Sequence, residues 1–275
     1  MMKTIQKDNL QMLQFESFAN DCNISHFITT RQGGISEGNY TSFNLGAYCG
    51  DSPDAVRENR KRLCSALGVQ STDLYIPLQT HETEIRIIDE HFLTLSKEEK
   101  QNALKGVDAL LSSLPDIAIA VTTADCVPLL IYDPIKQVIG AVHAGWRGTV
   151  NRLAAKVVEK MVQAYSTTPS DLQIGIGPCI GQDAFEVGEE VVDAFREANF
   201  PSSIHYYNKL SGKAHIDLIK ANIHQLTEVG VNEQKIELSG ICTYTQHKTF
   251  YSARRLGINS GRFLTGILLN KKNTL

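Results

Sequence analysis

The chain has 275 residues, of which 42% are hydrophobic and 21% are charged, a composition typical of a globular protein with a hydrophobic core. The formal net charge is −3, so the basic excess that nonspecific nucleic-acid binding requires is missing. The sequence contains no stretch close to the roughly 20 apolar residues of a membrane-spanning helix and no apolar signal-peptide core at its N-terminus. We therefore expect a cytoplasmic protein without nucleic-acid or membrane partners.

The first element in chain order is a loop rich in glycine and asparagine at residues 31–51. A helix is predicted next, with Ser52 as N-cap, Pro53 in the first turn and Gly68 as its stop. Apolar patterning then predicts strands at 117–122, 128–132, 137–142, 172–176, 235–238 and 264–269. It also predicts helices at 149–165, 189–198 and 216–229.

Strands alternate with helices over most of the chain, and the chain contains no internal repeat or long linker. We therefore predict an α/β fold over residues 1–275, as a single domain with a mixed β-sheet flanked by helices. The order and direction of the strands stay open. Six widely spread cysteines without a C-x-x-C pair indicate reduced thiols, most of them in the core.

Three short segments each place a metal-binding side chain in a turn beside a strand. They are LQTH, which ends at His81, TADCVP, which contains Cys126, and AVHAGWRGT, which contains His143. Their spacing matches no zinc finger, but ligands on separate strand ends can still converge. Two imidazoles and one thiolate would leave zinc a fourth position for water or substrate. The spacing alone equally permits histidines that only form surface or structural hydrogen bonds.

The segment HAGWRG (143–148) has two interpretations. Its glycines let the backbone approach a ligand, and Arg147 lies where its side chain can bind an anion. Alternatively, the segment is a tight strand-to-helix turn in which Trp146 is a packing anchor.

Twelve segments together resemble the YfiH/YlmD-like family, whose members were formerly labelled multicopper polyphenol oxidases or laccase-domain proteins. The matching segments, spread over about residues 25–268, are RQGG (31–34), NLG (44–46), GD (50–51), ENR (58–60), QTH (79–81), ADCVP (124–128), HAGWRG (143–148), IGPCIG (176–181), FEVG (185–188), CT (242–243), YSARR (251–255) and GR (261–262). ADCVP followed by HAGWRG at this distance is the most specific combination. The chain departs from the family pattern at LQTH, where Gln-Val-His is usual, and at Cys179, where Ser or Ala is common; Cys179 is therefore a candidate redox-sensitive position.

This resemblance implies an α/β enzyme with a metal site formed by His81, Cys126 and His143. The metal in the family is usually zinc, and copper is possible. The implied activities are purine nucleoside phosphorolysis, with adenosine, inosine, guanosine and methylthioadenosine as substrates, and adenosine deamination. Small purine nucleosides and phosphate are accordingly the expected partners.

The two reactions require different groups. For deamination, zinc would make a water nucleophilic, and Asp125 is the candidate catalytic proton shuttle, with turn capping as its alternative role. For phosphorolysis, Arg60 and Arg147 are the candidates to hold phosphate, and we assign Arg147 to the catalytic set as well. Asn44 suits a ribose hydroxyl or a base edge, unless it is a turn residue. Further candidate cations are Arg31, Arg254, Arg255 and Arg262.

Three other functions stay open. A copper-dependent polyphenol oxidase is disfavoured, because the 8 histidines form no H-x-H pair and the first methionine after His143 is Met161, in a predicted helix. An enzyme that edits peptidoglycan precursors is a second alternative. A zinc-stabilised interaction module would need a fourth ligand, which His247 near Cys242 would supply. The preferred purine, the balance of the two reactions and the oligomeric state also stay open.

Overall fold

The computed structural model describes residues 2–271. The strands, in chain order, are β1 (Met2–Lys7), β2 (Leu10–Phe15), β3 (Ile24–Thr29), β4 (Leu74–Tyr75), β5 (Glu84–Ile88), β6 (Val107–Ser112), β7 (Ala118–Thr123), β8 (Val127–Asp133), β9 (Val138–Ala144), β10 (Gln173–Ile176), β11 (Glu186–Val187), β12 (His205–Tyr207), β13 (Ala214–Ile216), β14 (Ile236–Leu238) and β15 (Phe263–Leu269). The α-helices are α1 (Glu16–Ala19), α2 (Pro53–Leu67), α3 (Glu90–Thr94), α4 (Lys97–Ala103), α5 (Trp146–Val150), α6 (Leu153–Tyr165), α7 (Glu189–Glu197), α8 (Leu218–Glu228) and α9 (Ala253–Leu256).

Two six-stranded mixed sheets form the centre of the fold. The first has the order β1-β2-β3-β15-β7-β4, and its pairs are antiparallel except for the parallel pair of β7 and β4. The second has the order β14-β10-β8-β9-β6-β5, with parallel pairs only at its two edges. A small antiparallel sheet, β11-β13-β12, lies outside both.

The side chains that alternate along the central strands divide the core into layers. In β8, Leu130 packs in the cluster that both sheets share, whereas Leu129 packs on the opposite face with α6 and α8. In β7, Ile119 belongs to the shared cluster and Ala120 packs on the outer face with α2. Successive side chains of a strand point to opposite faces of its sheet. The layers therefore follow in the order α2, the first sheet, the second sheet, and then α6 together with α8.

The fold places two crossover segments side by side. The loop after β4 leaves the first sheet and enters the second at β5, and the short turn after β7 makes the same crossing into β8. Because β4 pairs with β7, both crossings leave the first sheet at the same edge. Side chains on these two segments are thereby brought to one place between the sheets.

Several predicted elements are confirmed. Helix α2 begins after Ser52, whose side chain accepts a hydrogen bond from the Ala55 N–H, and ends at Gly68 in the left-handed conformation. The predicted strands correspond to β7, β8, β9, β10, β14 and β15, with ends shifted by one or two residues. The mixed α/β architecture is also as predicted.

One predicted helix is divided in the structure. The pattern predicts a single helix over residues 149–165, but α5 ends at Val150 and α6 begins at Leu153. Arg152 between them has φ of 63°, a left-handed conformation that interrupts helical hydrogen bonding. The helix starts earlier than expected, at Trp146, directly after the strand that carries His143.

Within residues 2–271, the structure contains no helix long and apolar enough to cross a membrane.

Candidate metal centre and active-site cavity

His81, Cys126 and His143 lie together in the structure. Their ligand atoms, one from each side chain, are all within 4.8 Å of one another. His81 lies on the crossover loop between β4 and β5, Cys126 on the turn between β7 and β8, and His143 near the end of β9. The three segments that the sequence analysis singled out therefore converge where the chain crosses between the sheets.

The loop that carries His81 folds around the carboxylate of Asp108 on the adjacent strand β6. The backbone N–H groups of Thr80 and Glu82 donate to Oδ2 of Asp108 at 3.2 and 2.8 Å. The N–H of His81 donates to Oδ1 at 3.1 Å. These bonds accompany a φ of 66° at His81, a conformation that a histidine seldom adopts.

The same carboxylate holds His143. Nδ1 of His143 lies 2.8 Å from Oδ1 of Asp108, and the Asp108 side chain is fully buried. Burial by itself raises the pKa of Asp108, but the hydrogen bond and charge of His143, with the backbone donors, lower it below its usual value. Asp108 is therefore an anion that binds both histidine-bearing segments.

The cluster also favours ionisation of its cysteine. Burial by itself raises the pKa of the Cys126 thiol, but the charge of His143 and hydrogen bonds with both histidines outweigh it and lower the pKa to about 6. Burial lowers the pKa of His143, whereas the Cys126 sulfur and Asp108 raise it, to a net value of about 9. The Cys126 sulfur and the His143 ring therefore each favour the charged form of the other.

The donor set fits a zinc ion. Tetrahedral zinc with bonds of roughly 2.0–2.3 Å places its ligand atoms about 3.3–3.7 Å apart. In the observed cluster, all separations between the ligand atoms are within 4.8 Å, which is about 1 Å above that spacing at most. A thiolate and two imidazoles are ordinary zinc ligands, and three protein ligands leave one position open.

Glycine is required beside the cluster. A Cβ on Gly145 would lie 2.9 Å from Cδ2 of His81 and 3.2 Å from Sγ of Cys126. These distances are shorter than ordinary van der Waals contacts. The absence of a side chain at residue 145 therefore lets the backbone after His143 pass close to the side chains of His81 and Cys126.

Asp125 anchors the turn that presents Cys126. Its φ is 96°, and its carboxylate accepts 2.6 Å hydrogen bonds from the Thr243 hydroxyl and from the backbone N–H of Arg254. Its carbonyl accepts from the N–H of Ile180 at 2.9 Å. Both carboxylate oxygens are thus engaged by the protein, as the alternative turn-capping role requires.

A cavity of about 1040 Å³ opens onto the cluster, slightly above the size range of small-molecule sites. All three cluster residues and Asp125 line it. The remaining lining residues are Gly46, Ala47, Tyr48, Cys49, Gly50, Arg60, Ile76, Pro77, Leu78, Gln79, Thr122, Thr123, Ala124, Trp146, Ile180, Phe185, Ala253, Arg254, Ile258, Asn259 and Arg262. Polar, aromatic and cationic groups therefore surround the candidate metal centre.

The candidate arginines differ in their access to this cavity. Arg60 lines it, and its Nε and Nη2 donate to the carbonyl of Leu45 at 3.0 and 2.8 Å. Arg254 and Arg262 also line it. Arg147, in contrast, is exposed on α5 and stacks on the ring of Trp146, at 4.3 Å. Among the described residues that line the cavity, Arg147 is absent.

The side chain of Asn44 is hydrogen-bonded within the protein and does not face the cavity. It is fully buried, and its amide group donates to Asp51 at 2.8 Å and accepts from the backbone N–H groups of Gly46 and Arg262. It is not among the described residues that line the cavity. Asn44 therefore holds the loop whose neighbouring residues face the cavity, as the turn-residue interpretation describes.

Two alternatives find no support in the described part of the chain. Among the described residues, His247 is not part of the cluster that could hold a metal, so it does not supply the fourth ligand that this alternative needs. Met161 is fully buried in the core that α6 forms with the second sheet, so the axial methionine of a blue-copper centre is not supplied by this residue.

The roles of Asp108 and Gln79 were not predicted from the sequence. Gln79 bridges the His81 loop to β7, since its amide donates to the Thr122 carbonyl and accepts from the Thr122 N–H and hydroxyl. The available signal for Asp108 was a single carboxylate inside the apolar strand segment GVDALLS. A buried charge needs partners, but the sequence does not say which.

Comparison with known proteins identifies the family of this chain. The sequence model of the family described as "Multi-copper polyphenol oxidoreductase laccase" matches residues 25–270. The chain belongs to this family.

Named relatives of the family are YfiH/YlmD-type enzymes. A protein of Bacteroides thetaiotaomicron named purine nucleoside phosphorylase is 45% identical over 271 residues, which cover 98% of this chain and 100% of the relative. A protein named adenosine deaminase RL5, from an unknown prokaryotic organism, is 45% identical over 89% of this chain and 93% of its own. The crystal structure of YlmD from Geobacillus stearothermophilus aligns with a TM-score of 0.88 at 30% identity and covers 98% of this chain and 99% of that one.

Proposed function

We propose that the chain is a purine nucleoside phosphorylase that also deaminates adenosine. The observation that carries this proposal is the His81, Cys126 and His143 cluster, which opens onto a cavity of about 1040 Å³ with arginines in its wall. The relatives named above carry these two activities in their names. Adenosine, inosine, guanosine and methylthioadenosine are the proposed nucleoside substrates, with phosphate as co-substrate, and the proposed location is the cytoplasm.

His81, Cys126 and His143 would hold zinc in this proposal. When bound, zinc supplies a Lewis acid beside the substrate. Asp108 keeps Nδ1 of His143 occupied, so that Nε2 of this ring is the nitrogen directed to the metal. Gly145 lets the backbone pass without filling the position next to the ligands.

Arginine side chains in the cavity wall would bind phosphate. Arg60 holds the carbonyl of Leu45 with two of its nitrogen atoms, which fixes the plane of its guanidinium. Arg254 donates from Nη1 to the carbonyls of Ala184 and Glu186 and is fixed in the same way. A planar, fixed guanidinium is suited to bidentate phosphate binding, and we rank these two residues above the exposed Arg147.

Asp125 would act by positioning. Its two carboxylate oxygens already accept hydrogen bonds from Thr243 and Arg254, so it holds the Cys126 turn against the wall that carries Arg254. A catalytic proton shuttle at Asp125 would require one of these bonds to open. We therefore propose that Asp125 connects the metal centre to the phosphate-binding side of the cavity.

Incubation of the zinc-loaded protein with adenosine, with and without phosphate, tests the function. We expect inosine and ammonia in phosphate-free buffer, because water is then the only co-substrate. With phosphate present we expect adenine and ribose 1-phosphate in addition. If neither inosine nor adenine forms at high protein concentration, the proposed function is wrong.

The matched control is Cys126→Ala. This variant removes the thiolate but retains Asp108 and both histidines, so we expect loss of zinc and of both products with an unchanged circular dichroism spectrum. An open site with three protein ligands is catalytic rather than structural, which is why the fold is expected to survive. Equal zinc content in the wild type and the variant would contradict the proposed ligand set.

A further inference from the structure

We propose that Asp108 is the positioning residue of the metal centre, because its one carboxylate fixes the backbone that presents His81 and the ring orientation of His143. This inference rests on the proposed function, since it takes the three-residue cluster to be a metal site. It assigns a role to a residue outside the ligand set. Its evidence is the pattern of four donors around one buried side chain.

The two carboxylate oxygens of Asp108 have different hydrogen-bond partners. Oδ2 accepts only from the loop, through the N–H groups of Thr80 and Glu82 at 3.2 and 2.8 Å. Oδ1 accepts from the N–H of His81 at 3.1 Å and contacts Nδ1 of His143 at 2.8 Å. Oδ1 is therefore shared between the two histidine ligands.

The loop contacts explain the backbone of His81. Three successive N–H groups can point at one carboxylate only if the chain curls around it, and His81 at the centre of the curl has φ of 66°. A left-handed conformation is unfavourable for a residue with a Cβ. The three backbone hydrogen bonds to the charged carboxylate stabilise this conformation.

The contact between Asp108 and Nδ1 of His143 determines which ring nitrogen of His143 is available to bind a metal. A neutral imidazole that donates from Nδ1 to a carboxylate has its lone pair on Nε2. The same arrangement, a carboxylate that orients a metal-binding histidine, increases metal affinity in zinc proteins by about 10- to 100-fold. Asp108 therefore selects the tautomer of the His143 ring as well as its position.

Zinc affinity measured by competition with a chelator, without substrate, tests the role. We expect Asp108→Asn to bind zinc about 10- to 100-fold more weakly than the wild type, because an amide offers one acceptor oxygen where the carboxylate offers two. We also expect the thiolate-to-cobalt absorption band of the cobalt-loaded variant to shift. Equal zinc affinity and an unchanged cobalt spectrum would overturn the inference.

Asp133→Asn is the matched control. Asp133 is also fully buried, lies at the end of β8 in the same sheet, and accepts 2.9 Å hydrogen bonds from the N–H groups of Ile135 and Lys136. It is outside the cluster, so its substitution should leave zinc affinity unchanged. Equal weakening in both variants would show a general effect of losing a buried carboxylate and would also overturn the inference.

A measurement on the wild type covers the case in which Asp108→Asn does not fold. Long-range ¹H–¹⁵N correlation spectra of the zinc-loaded protein identify the tautomer of each histidine. We expect His143 to carry its proton on Nδ1, and a proton on Nε2 would overturn the inference. If the wild type itself binds no zinc, the proposed function fails as well, and this result is distinguishable from a wild type that binds zinc with the other tautomer.

Discussion

Arg60 is a partly buried cation that faces the cavity from helix α2. Burial lowers its pKa, which shows that the protein provides the guanidinium with less stabilisation than water does. Its Nε and Nη2 donate hydrogen bonds to the carbonyl of Leu45, a neutral acceptor. A bound phosphate dianion would supply the opposite charge that this position lacks.

We predict that Arg60→Ala raises the Michaelis constant for phosphate by about 10- to 150-fold, the equivalent of a charged hydrogen bond worth roughly 1.5–3 kcal/mol. Arg147→Ala, which tests the role expected from the HAGWRG segment, should have a much smaller effect because Arg147 lies outside the lining of the cavity. Initial rates at varied phosphate concentration provide the measurement.

Arg57→Ala is the control for this series, since Arg57 lies on the same helix and pairs with Asp54 at an exposed position. Zinc content and phosphate-free deamination should be retained in all three variants. A larger phosphate effect for Arg147→Ala than for Arg60→Ala would contradict the assignment.

At the scale of single residues, the sequence predicts the candidate metal ligands but not the residue that positions them. His81, Cys126 and His143 lie in turns beside strands, where a local motif is visible. Asp108 has partners at positions 80–82 and 143 that become neighbours only through the pairing of β5 and β9 with β6. No local pattern contains that information, so the positioning carboxylate could not be predicted.

The break between α5 and α6 is held by tertiary contacts of one residue. Arg152, with φ of 63°, forms an ion pair with Glu228, donates to the carbonyl of Ala198 at 2.9 Å, and lies 4.1 Å from the ring centroid of Phe200. The apolar pattern on both sides continues at helical spacing, so periodicity alone predicts one helix. The partners that stabilise the break lie 46–76 residues away in the chain and leave no local signal.

We predict that Arg152→Ala destabilises the protein by about 1–3 kcal/mol, because it removes the ion pair and the cation–π contact and retains the left-handed conformation. Arg152→Gly loses the same contacts but adopts positive φ without steric cost. It should therefore be about 1 kcal/mol more stable than Arg152→Ala. Urea unfolding of the three proteins provides the measurement, and an Arg152→Gly variant less stable than Arg152→Ala would contradict the explanation.

The two large sheets share a core that contains an uncharged histidine. His26 on β3 is 2% exposed, stacks against Phe15 and contacts the edge of Phe18, and accepts the N–H of Phe15 on Nε2 at 2.8 Å. Burial is the largest influence on its pKa and lowers it to about 4, although the charge of Glu237 acts in the opposite direction. The folded protein therefore disfavours the protonated ring.

This lowered pKa predicts a loss of stability in acid. Above the unfolded value of 6.5 the ring is neutral in both states, and its contribution to stability is fully present. As the pH falls from about 6.5 towards 4, His26 takes up a proton in the unfolded chain before it does so in the folded protein. The free energy of unfolding therefore decreases by about 2–3 kcal/mol. Urea unfolding at pH 7 and pH 4.5, with chelator present, measures this change in the free energy of unfolding.

His26→Gln is the comparison variant, because glutamine offers an amide oxygen and does not titrate. The difference in unfolding free energy between pH 7 and pH 4.5 should be about 2–3 kcal/mol smaller in His26→Gln than in the wild type. An equal pH dependence in the two proteins would show that His26 is not responsible.

At the scale of the molecule, the fold class was predictable and the arrangement of sheets was not. Alternating strands and helices indicate α/β, but the apolar pattern predicts one mixed sheet and no strand before residue 117. In the structure β15 pairs with both β3 and β7, so the first sheet joins strands from opposite ends of the chain. Such pairings depend on long-range packing, which short apolar patterns do not encode.

The two crossover segments described above have a thermodynamic consequence. A metal held by His81, Cys126 and His143 would bridge segments that leave the first sheet and a strand that belongs to the second. The unfolded chain has no such site, because these residues are far apart in sequence. Metal binding would therefore add to the free energy of unfolding as RT ln(1 + [metal]/Kd), about 1.4 kcal/mol for each tenfold rise in free metal above Kd. The cofactor of the reaction would then also serve as a removable cross-link between the sheets.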